Sequence, residues 1–167
     1  MNLDSFSDRL KVLIQSAQSL AVRLHHQRLL PQHLLSVLVS EEGKLSEEFI
    51  IAAGGNFKTL RDKVRLNLEG IPKVEGSGAD SLYIAPETKK VFETASNIAR
   101  DAGDTFVTVE QLLLALSLNN DNSFGTILNQ SGATSGNLRT AINRMRKGRK
   151  ADSPTTENGY GALEKYA

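Results

Sequence analysis

The chain contains an internal duplication, and this feature limits its possible folds more than any other. Residues 11–65 align without a gap on residues that lie 78 positions later, as in the pair Lys11 and Lys89. Most matching residues are small or apolar, as expected where helix faces pack together. The other identical pairs are Ala17/Ala95, Ala21/Ala99, Leu34/Leu112, Leu35/Leu113, Leu38/Leu116, Gly54/Gly132, Leu60/Leu138 and Arg61/Arg139. The sequence therefore predicts two copies of one folding unit.

Each copy is expected to form four helices, because apolar residues recur at steps of three and four, as from Leu10 through Leu13, Ile14 and Ala17. Gly54 and Gly132 fall where a helix should end and suit its left-handed last position. The fold class is therefore expected to be all-α, with two pseudo-twofold four-helix repeats. The predicted helices span 5–24, 31–40, 44–53 and 56–69 in repeat 1, and 86–102, 109–118, 122–131 and 135–146 in repeat 2.

Local signals mark where the second helix of each repeat starts. Thr108 and Gln111 have the spacing of a capping box, and Pro31 suits the first helical position. The β-rich run at 105–109 leads directly into the predicted helix start, so no strand is expected there. Domain limits follow: repeat 1 at about 5–69, a connector at 70–84 and repeat 2 at about 85–146, which form one domain over 1–146. A flexible linker is expected at 147–158, and the first turns of a truncated next domain at 159–167.

Composition excludes several classes of protein. The 167 residues include no cysteine, which excludes a disulfide scaffold, a thiolate zinc site and a cysteine nucleophile. Twenty basic and nineteen acidic residues give a net charge of +1, whereas nucleic-acid binders and polybasic membrane binders carry a clear basic excess. No apolar run reaches the length of a membrane span, and no export signal is visible, so the expected location is the cytoplasm.

Other motifs do not amount to a catalytic or metal site. His25 and His26 point in different directions at a helix end, and no acidic residue lies at ligand spacing from them or from His33, so metal binding is not expected. The Gly-Ser-Gly at 76–78 has no preceding strand and no following lysine, and the basic run at 146–150 has no interleaved aromatics. No nucleophile elbow or Walker A segment occurs. The chain is not expected to be an enzyme or to hold a cofactor.

Several short segments resemble the N-terminal domain of the ClpB family, the bacterial and organellar AAA+ disaggregases. They are AQSLA at 17–21, PQHLL at 31–35, PKVEGSG at 72–78, GDTFVTVE at 103–110, RKGR at 146–149 and ENGY at 157–160. The resemblance implies a module that weakly binds unfolded or aggregated polypeptide and helps deliver it to a hexameric motor. It also implies a parent AAA+ ATPase that works as a homohexamer with a DnaK-type chaperone system, with ATP and Mg bound only in ATPase domains. The isolated domain is expected to be a monomer.

The same resemblance implies the site residues. A hydroxyl early in the first helix and two acids around the start of the second repeat's second helix correspond to Ser7, Asp104 and Glu110. An apolar groove beside them corresponds to Thr94, Ile98 and Gln111. Thr94 and Gln111 depart from relatives that have leucine at those positions. We predict that Asp104→Ala or Glu110→Ala lowers disaggregation with little loss of thermal stability.

Local structure offers another interpretation of each residue. Ser7 is a good helix N-cap, Asp104 suits a turn after Gly103, and Glu110 in the first turn of a helix is stabilised by the helix dipole. Ile98 has the spacing of a core face. For the whole domain, the alternative is a structural or regulatory module that gates pore access without client contact, and the polar Thr94 and Gln111 favour it.

Overall fold

The helices lie where the duplication predicts them. The computed structural model describes residues 3–40, 44–74, 82–118 and 123–159. Within those ranges the predicted all-α fold of two four-helix repeats is confirmed, and helix ends differ from the predicted ones by three residues at most. Repeat 1 contains α1 (Asp8–Arg23), α2 (Pro31–Leu38), α3 (Lys44–Ala52) and α4 (Phe57–Glu69), and repeat 2 contains α5 (Pro86–Asp101), α6 (Val109–Ser117), α7 (Ser123–Gln130) and α8 (Ser135–Arg146).

Side-chain caps and prolines fix where several helices begin. The Ser7 hydroxyl accepts a hydrogen bond of 3.2 Å from the backbone N–H of Leu10, and Thr134 caps α8 in the same way. Pro31 and Pro86 are the first residues of α2 and α5. Each cap satisfies an N–H that the helix itself leaves free, which explains why these sequence signals located the helix starts well.

Gly54 and Gly132 end α3 and α7 and meet each other across the pseudo-twofold axis. Their φ angles are +88° and +100°, in the left-handed region that favours glycine. A Cβ atom at Gly132 would lie 2.7 Å from the carbonyl oxygen of Gly54. Glycine at 132 is therefore required both by its backbone angles and by the close approach of the other repeat.

Short parallel strand pairings join the two repeats, and the sequence did not predict them. β1 (Arg28–Leu29) pairs with β2 (Tyr83–Ile84) in parallel, with Leu29 opposite Ile84. A single parallel bridge joins Phe6 to Val107, which are the residues equivalent to Ile84 and Leu29 in the other repeat. In each case the loop before the second helix of one repeat pairs with the segment before the first helix of the other. Two-residue pairings are too short to give a periodic signal in the sequence.

Helices α2 and α6 form the centre of the core. Leu34, Leu35, Leu112 and Leu113 are at most 1% exposed, and burying each leucine side chain contributes roughly 1.5–3 kcal/mol. All nine residues of α6 are buried, and they include Glu110. Since a buried carboxylate is costly without a partner, the fold has to supply one at the start of this helix.

The segment after α8 turns back over repeat 2. Lys147 and Gly148 have φ angles of +51° and +82° and reverse the chain direction. Ala151 is then fully buried, and a short 3-10 helix follows at Thr156–Gly159. The composition of 147–158 predicted a flexible linker, and this expectation needs correction because residues in this range make specific contacts with the domain. The predicted start of the next domain at 159–167 lies outside the described residues except for residue 159, and so does the part of the connector at 75–81.

Across the described ranges, no helix has both the length and the apolar character needed to cross a lipid bilayer.

Candidate functional site

Arg146, the last residue of α8, joins the buried acids of repeat 2. Its Nε donates to Oε1 of Glu110 at 2.9 Å, its Nη2 donates to the hydroxyl of Thr108 at 3.0 Å, and its Nη1 donates to Oδ2 of Asp104. The side chains of Asp104 and Glu110 are 0% exposed, and that of Arg146 is 8% exposed. The planar guanidinium can serve three acceptors at once, which a lysine could not do in this geometry.

The second oxygen of Asp104 binds the backbone of the segment 150–157, which we call the covering segment. The N–H of Ala151 donates to Oδ1 of Asp104 at 2.9 Å. The carbonyl of Ala151 accepts from the N–H groups of Thr105 and Phe106 at 2.9 and 3.0 Å. The domain thus hydrogen-bonds both the N–H and the carbonyl of one residue, as when a peptide adds to a sheet edge.

Glu157 anchors the other end of the covering segment to the start of α6. Its Oε2 accepts from the N–H of Val109, the first residue of α6, at 2.7 Å. Burial, followed by the charge of Glu110, raises the pKa of Glu157 to about 7, while a hydrogen bond from Ser7, the Val109 N–H and the charge of Arg9 act in the opposite direction. The site thus contains three acidic side chains, Asp104, Glu110 and Glu157, and one basic side chain, Arg146.

The predicted rim of Ser7, Asp104 and Glu110 is not accessible to solvent. Ser7 and Glu110 are 0% exposed, and the side chain of Asp104 is 0% exposed as well. Ser7 caps α1, and the covering segment lies next to all three residues. The structure shows these residues in the local roles that the sequence also allowed, as a helix cap, a turn residue and a first-turn acid. Direct contact with a client requires the covering segment to leave. The structure does bring the three together at one place, as the resemblance implied.

The predicted groove residues divide into two kinds. Thr94 and Ile98 on α5 are half-buried, with the Thr94 hydroxyl donating to the backbone of Lys90 and Ile98 packed against the core. Gln111 is only 2% exposed. Its Oε1 accepts from the Thr108 N–H at 3.0 Å, which is one half of the predicted capping box, and its Nε2 donates to Asp104. Gln111 is thus a buried hydrogen-bond partner of Asp104, whereas Thr94 and Ile98 remain at the surface.

Comparison with known proteins identifies the family. The sequence model for the Clp repeat N-terminal domain matches residues 5–131. This chain belongs to that family. The Clp repeat domain described here is 48% identical over 167 residues to chaperone protein ClpB of Rhodopseudomonas palustris and 46% identical to ClpB of Mesorhizobium japonicum, in both cases over 100% of this chain. It spans 19% of the length of each of these relatives, so the resemblance to ClpB N-terminal domains is confirmed over the part they share.

Solved structures support the fold of this Clp repeat domain. The Hsp104 N-terminal domain of Candida albicans has a TM-score of 0.78 and 22% identity, and the match covers 90% of this chain and 97% of that one. The N-terminal domain of ClpV1 from Escherichia coli has a TM-score of 0.68 at 15% identity, with coverage of 90% and 91%. At these identities the likeness concerns the fold.

Sequence reasoning missed Arg146, Ala151 and Glu157 as parts of the site of the Clp repeat domain. One signal was available for Arg146: the equivalent residue in repeat 1 is Leu68, so repeat 2 has a charged residue where repeat 1 has an apolar core residue. Glu157 lies in the ENGY segment that carries part of the resemblance. Ala151 offers no signal, since a buried alanine in a polar stretch cannot be told from a solvated one without the tertiary structure.

The first repeat of the Clp repeat domain contains a counterpart of this site built from different residues. His26 and His33 occupy the positions equivalent to Asp104 and Gln111, and His26 Nδ1 lies 2.7 Å from His33 Nε2. His33 Nδ1 accepts from the Leu30 N–H at 2.9 Å, as Gln111 does from Thr108. Within the described part of the chain, no group of three or more His, Cys, Asp or Glu residues is arranged to hold a metal ion.

Proposed function

We propose that this domain is the client-engaging module of an ATP-dependent disaggregase chaperone. In this role it binds unfolded or aggregated polypeptide weakly and helps deliver it to a hexameric AAA+ motor. Two facts support the proposal: the curated relatives are ClpB chaperones, and the domain corresponds to about a fifth of their length. ATP hydrolysis, work with a DnaK-type system and a cytoplasmic location belong to the same proposal.

The observation that carries this proposal is the way the site holds Ala151. Asp104 Oδ1 accepts from one peptide N–H, and two N–H groups donate to the following carbonyl, while the small side chain is buried. Every polypeptide offers these backbone groups. A site that binds these groups suits clients that share no sequence, and the half-buried Ile98 on α5 offers an apolar contact to the apolar segments of unfolded chains.

Clients are expected to compete with the covering segment for this site. While the segment is bound, Ser7 and Glu110 lie beneath Glu157 and cannot reach a client. When the segment leaves, Asp104 becomes the acceptor for the client backbone, and the two acids favour client segments with flanking lysine or arginine. Single-site affinity is reduced by the fraction of molecules in which the site is closed. Six tethered copies around a ring would compensate through effective concentration.

A specific observation favours the alternative role as a gate. In a longer parent protein the covering segment would connect α8 to the part that follows, and in the structure Asp104 and Glu157 hold it against the domain. A domain fixed to its own linker in this way would have a defined position over the pore of the motor and could gate access to it without binding clients. In that case Arg146 and Asp104 act only as structural anchors.

The experiment that separates the two roles compares Ala151→Arg with Asp152→Arg in the full chain. Ala151 is fully buried and Asp152 is exposed, so only the first variant should release the covering segment. Amide spectra are recorded during titration with a permanently unfolded protein, reduced and carboxymethylated α-lactalbumin. Client binding should tighten about tenfold in Ala151→Arg if the site is open in about a tenth of wild-type molecules.

The affected amides should include Thr105, Phe106 and Val109, whose N–H groups hold the covering segment. Binding that is equal in both variants, or no shift at these amides at high client concentration, would support the gate and overturn the client-binding role. Circular dichroism on both variants confirms that the helices remain intact.

A further inference from the structure

Repeat 1 contains an open groove that is the symmetry counterpart of the closed site in repeat 2. It lies between the ends of α1 and α2 and one side of α4, and its volume is about 540 Å³, within the range of small ligand pockets. Leu20, Leu24, Val39 and Leu68 give it an apolar floor. Leu20 is the equivalent of Ile98, and Leu68 replaces Arg146, so no internal guanidinium occupies this position.

A buried histidine, His26, is among the residues that line the groove. The Leu30 N–H donates to Nδ1 of His33, so neutral His33 carries its proton on Nε2 and donates it to Nδ1 of His26. Neutral His26 then carries its proton on Nε2. That atom is buried, and among the residues that the structure describes no acceptor meets the geometry of a hydrogen bond with it; His26 is 3% exposed and lines the groove. An unsatisfied buried donor of this kind indicates a missing acceptor.

Both rings are uncharged at neutral pH. Burial, followed by the charge of Lys73, lowers the pKa of His26, and burial beside His26 lowers the pKa of His33 to about 4. A weaker backbone contact with Ile71 acts in the opposite direction on His26 and does not meet the geometry of a hydrogen bond to Nε2. His26 therefore offers a neutral N–H, suited to a carbonyl or carboxylate oxygen.

The edge of the groove is positively charged. Arg61, Arg65 and Lys73 line it and are exposed, and Glu69 is the one acid among those lining residues that the structure describes. None of the three cations forms an ion pair within the described ranges; Arg61 stacks on Phe57 with its guanidinium carbon 5.5 Å from the ring centre. This charge is the opposite of the acidic site in repeat 2, so the two repeats would attract different segments.

We propose that this groove is a second binding site, for an extended polypeptide segment with a large apolar side chain beside acidic residues. The apolar side chain fills the floor formed by Leu20, Leu24 and Leu68. A carbonyl or carboxylate oxygen accepts from His26 Nε2, and the flanking acids face Arg61 and Arg65. The proposal goes beyond client binding in repeat 2, because it concerns another surface and the opposite charge.

The test uses the full chain and two fluorescent peptides with the same central leucine and phenylalanine, one flanked by glutamates and one by lysines. The glutamate peptide should bind and shift the His26 ring nitrogens and the amides of α4. Arg61→Glu should weaken this binding about fivefold, as expected for exposed charges. Arg139→Glu is the matched control, because Arg139 is the exposed equivalent of Arg61 in repeat 2.

Several results would overturn the proposal. They are equal binding of the two peptides, an equal effect of the two arginine variants, or shifts confined to Thr105, Phe106 and Val109, which report on the site in repeat 2. Binding to vesicles that contain phosphatidylserine without binding to the glutamate peptide would assign the groove to lipid and exclude a peptide. A failure of the repeat 2 site leaves the His26 readout unaffected, so the two proposals are tested separately.

Discussion

The backbone N–H of Ala151 donates to Oδ1 of Asp104 at 2.9 Å, while Oδ2 of the same carboxylate accepts from Arg146. One acid therefore couples the end of the helical domain to the segment that follows it. Removing that acid should affect both the stability of the domain and its contact with an extended chain.

Asp104→Ala is expected to release the covering segment and to lower the free energy of unfolding by about 1–3 kcal/mol, because three donors, on Ala151, Arg146 and Gln111, lose their acceptor. Hydrogen exchange at Thr105 and Phe106 should become faster. Client binding should nevertheless fall, since the acceptor for the client backbone is gone. Asp101→Ala, at an exposed position on α5, is the control. Tighter client binding in Asp104→Ala would show that Asp104 only anchors the covering segment.

Glu110→Ala is expected to destabilise the domain by about 3 kcal/mol, because it removes a buried partner of Arg146. This revises the expectation from sequence that either acid could be removed with little loss of thermal stability. Thermal denaturation of this variant beside Glu93→Ala, which changes an exposed acid on α5, measures the effect. Equal melting temperatures for the two variants would contradict a structural role for Glu110.

Closure of the site by Glu157 should depend on pH. The pKa of Glu157 is raised to about 7 from an ordinary 4.5, so the closed state favours the protonated acid. Its contribution to closure is fully present below about pH 4.5 and is lost as the pH rises through 7. Hydrogen exchange at Val109, corrected for the intrinsic rate, should show opening that increases from about pH 4.5 to pH 7 and levels off above it. Glu157→Gln should flatten this profile, and an unchanged profile in that variant would exclude Glu157 as its source.

Gly132→Ala should lower the free energy of unfolding by at least about 1–2 kcal/mol, from the left-handed backbone alone. The new Cβ would also lie 2.7 Å from the Gly54 oxygen, which adds to the cost. Gly136→Ala is the matched control, because a Cβ there meets nothing within 4 Å and lies in α8. The control should gain about 0.5–1 kcal/mol from helix propensity. Urea denaturation of both variants gives the two values.

Much of the fold could be predicted because its signals are local. Apolar spacing, the hydroxyl of Ser7, Pro31 and the glycines at 54 and 132 each act on their own neighbours in the chain, and the duplication let each repeat support the other. The strand pairing of Leu29 with Ile84 could not be predicted in this way. It joins residues far apart in sequence over a length too short to show a period.

For the candidate site, the family resemblance carried by the sequence indicated which residues come together: Ser7, Asp104 and Glu110 do meet at the start of α6. Only the tertiary structure decided their exposure. Arg146 lies 36 residues from Glu110, and Glu157 lies 48 residues from Val109, so neither partner is visible in local patterns. Burial is a property of the whole packed chain, and a carboxylate at a helix start looks the same in sequence whether it faces water or a buried guanidinium.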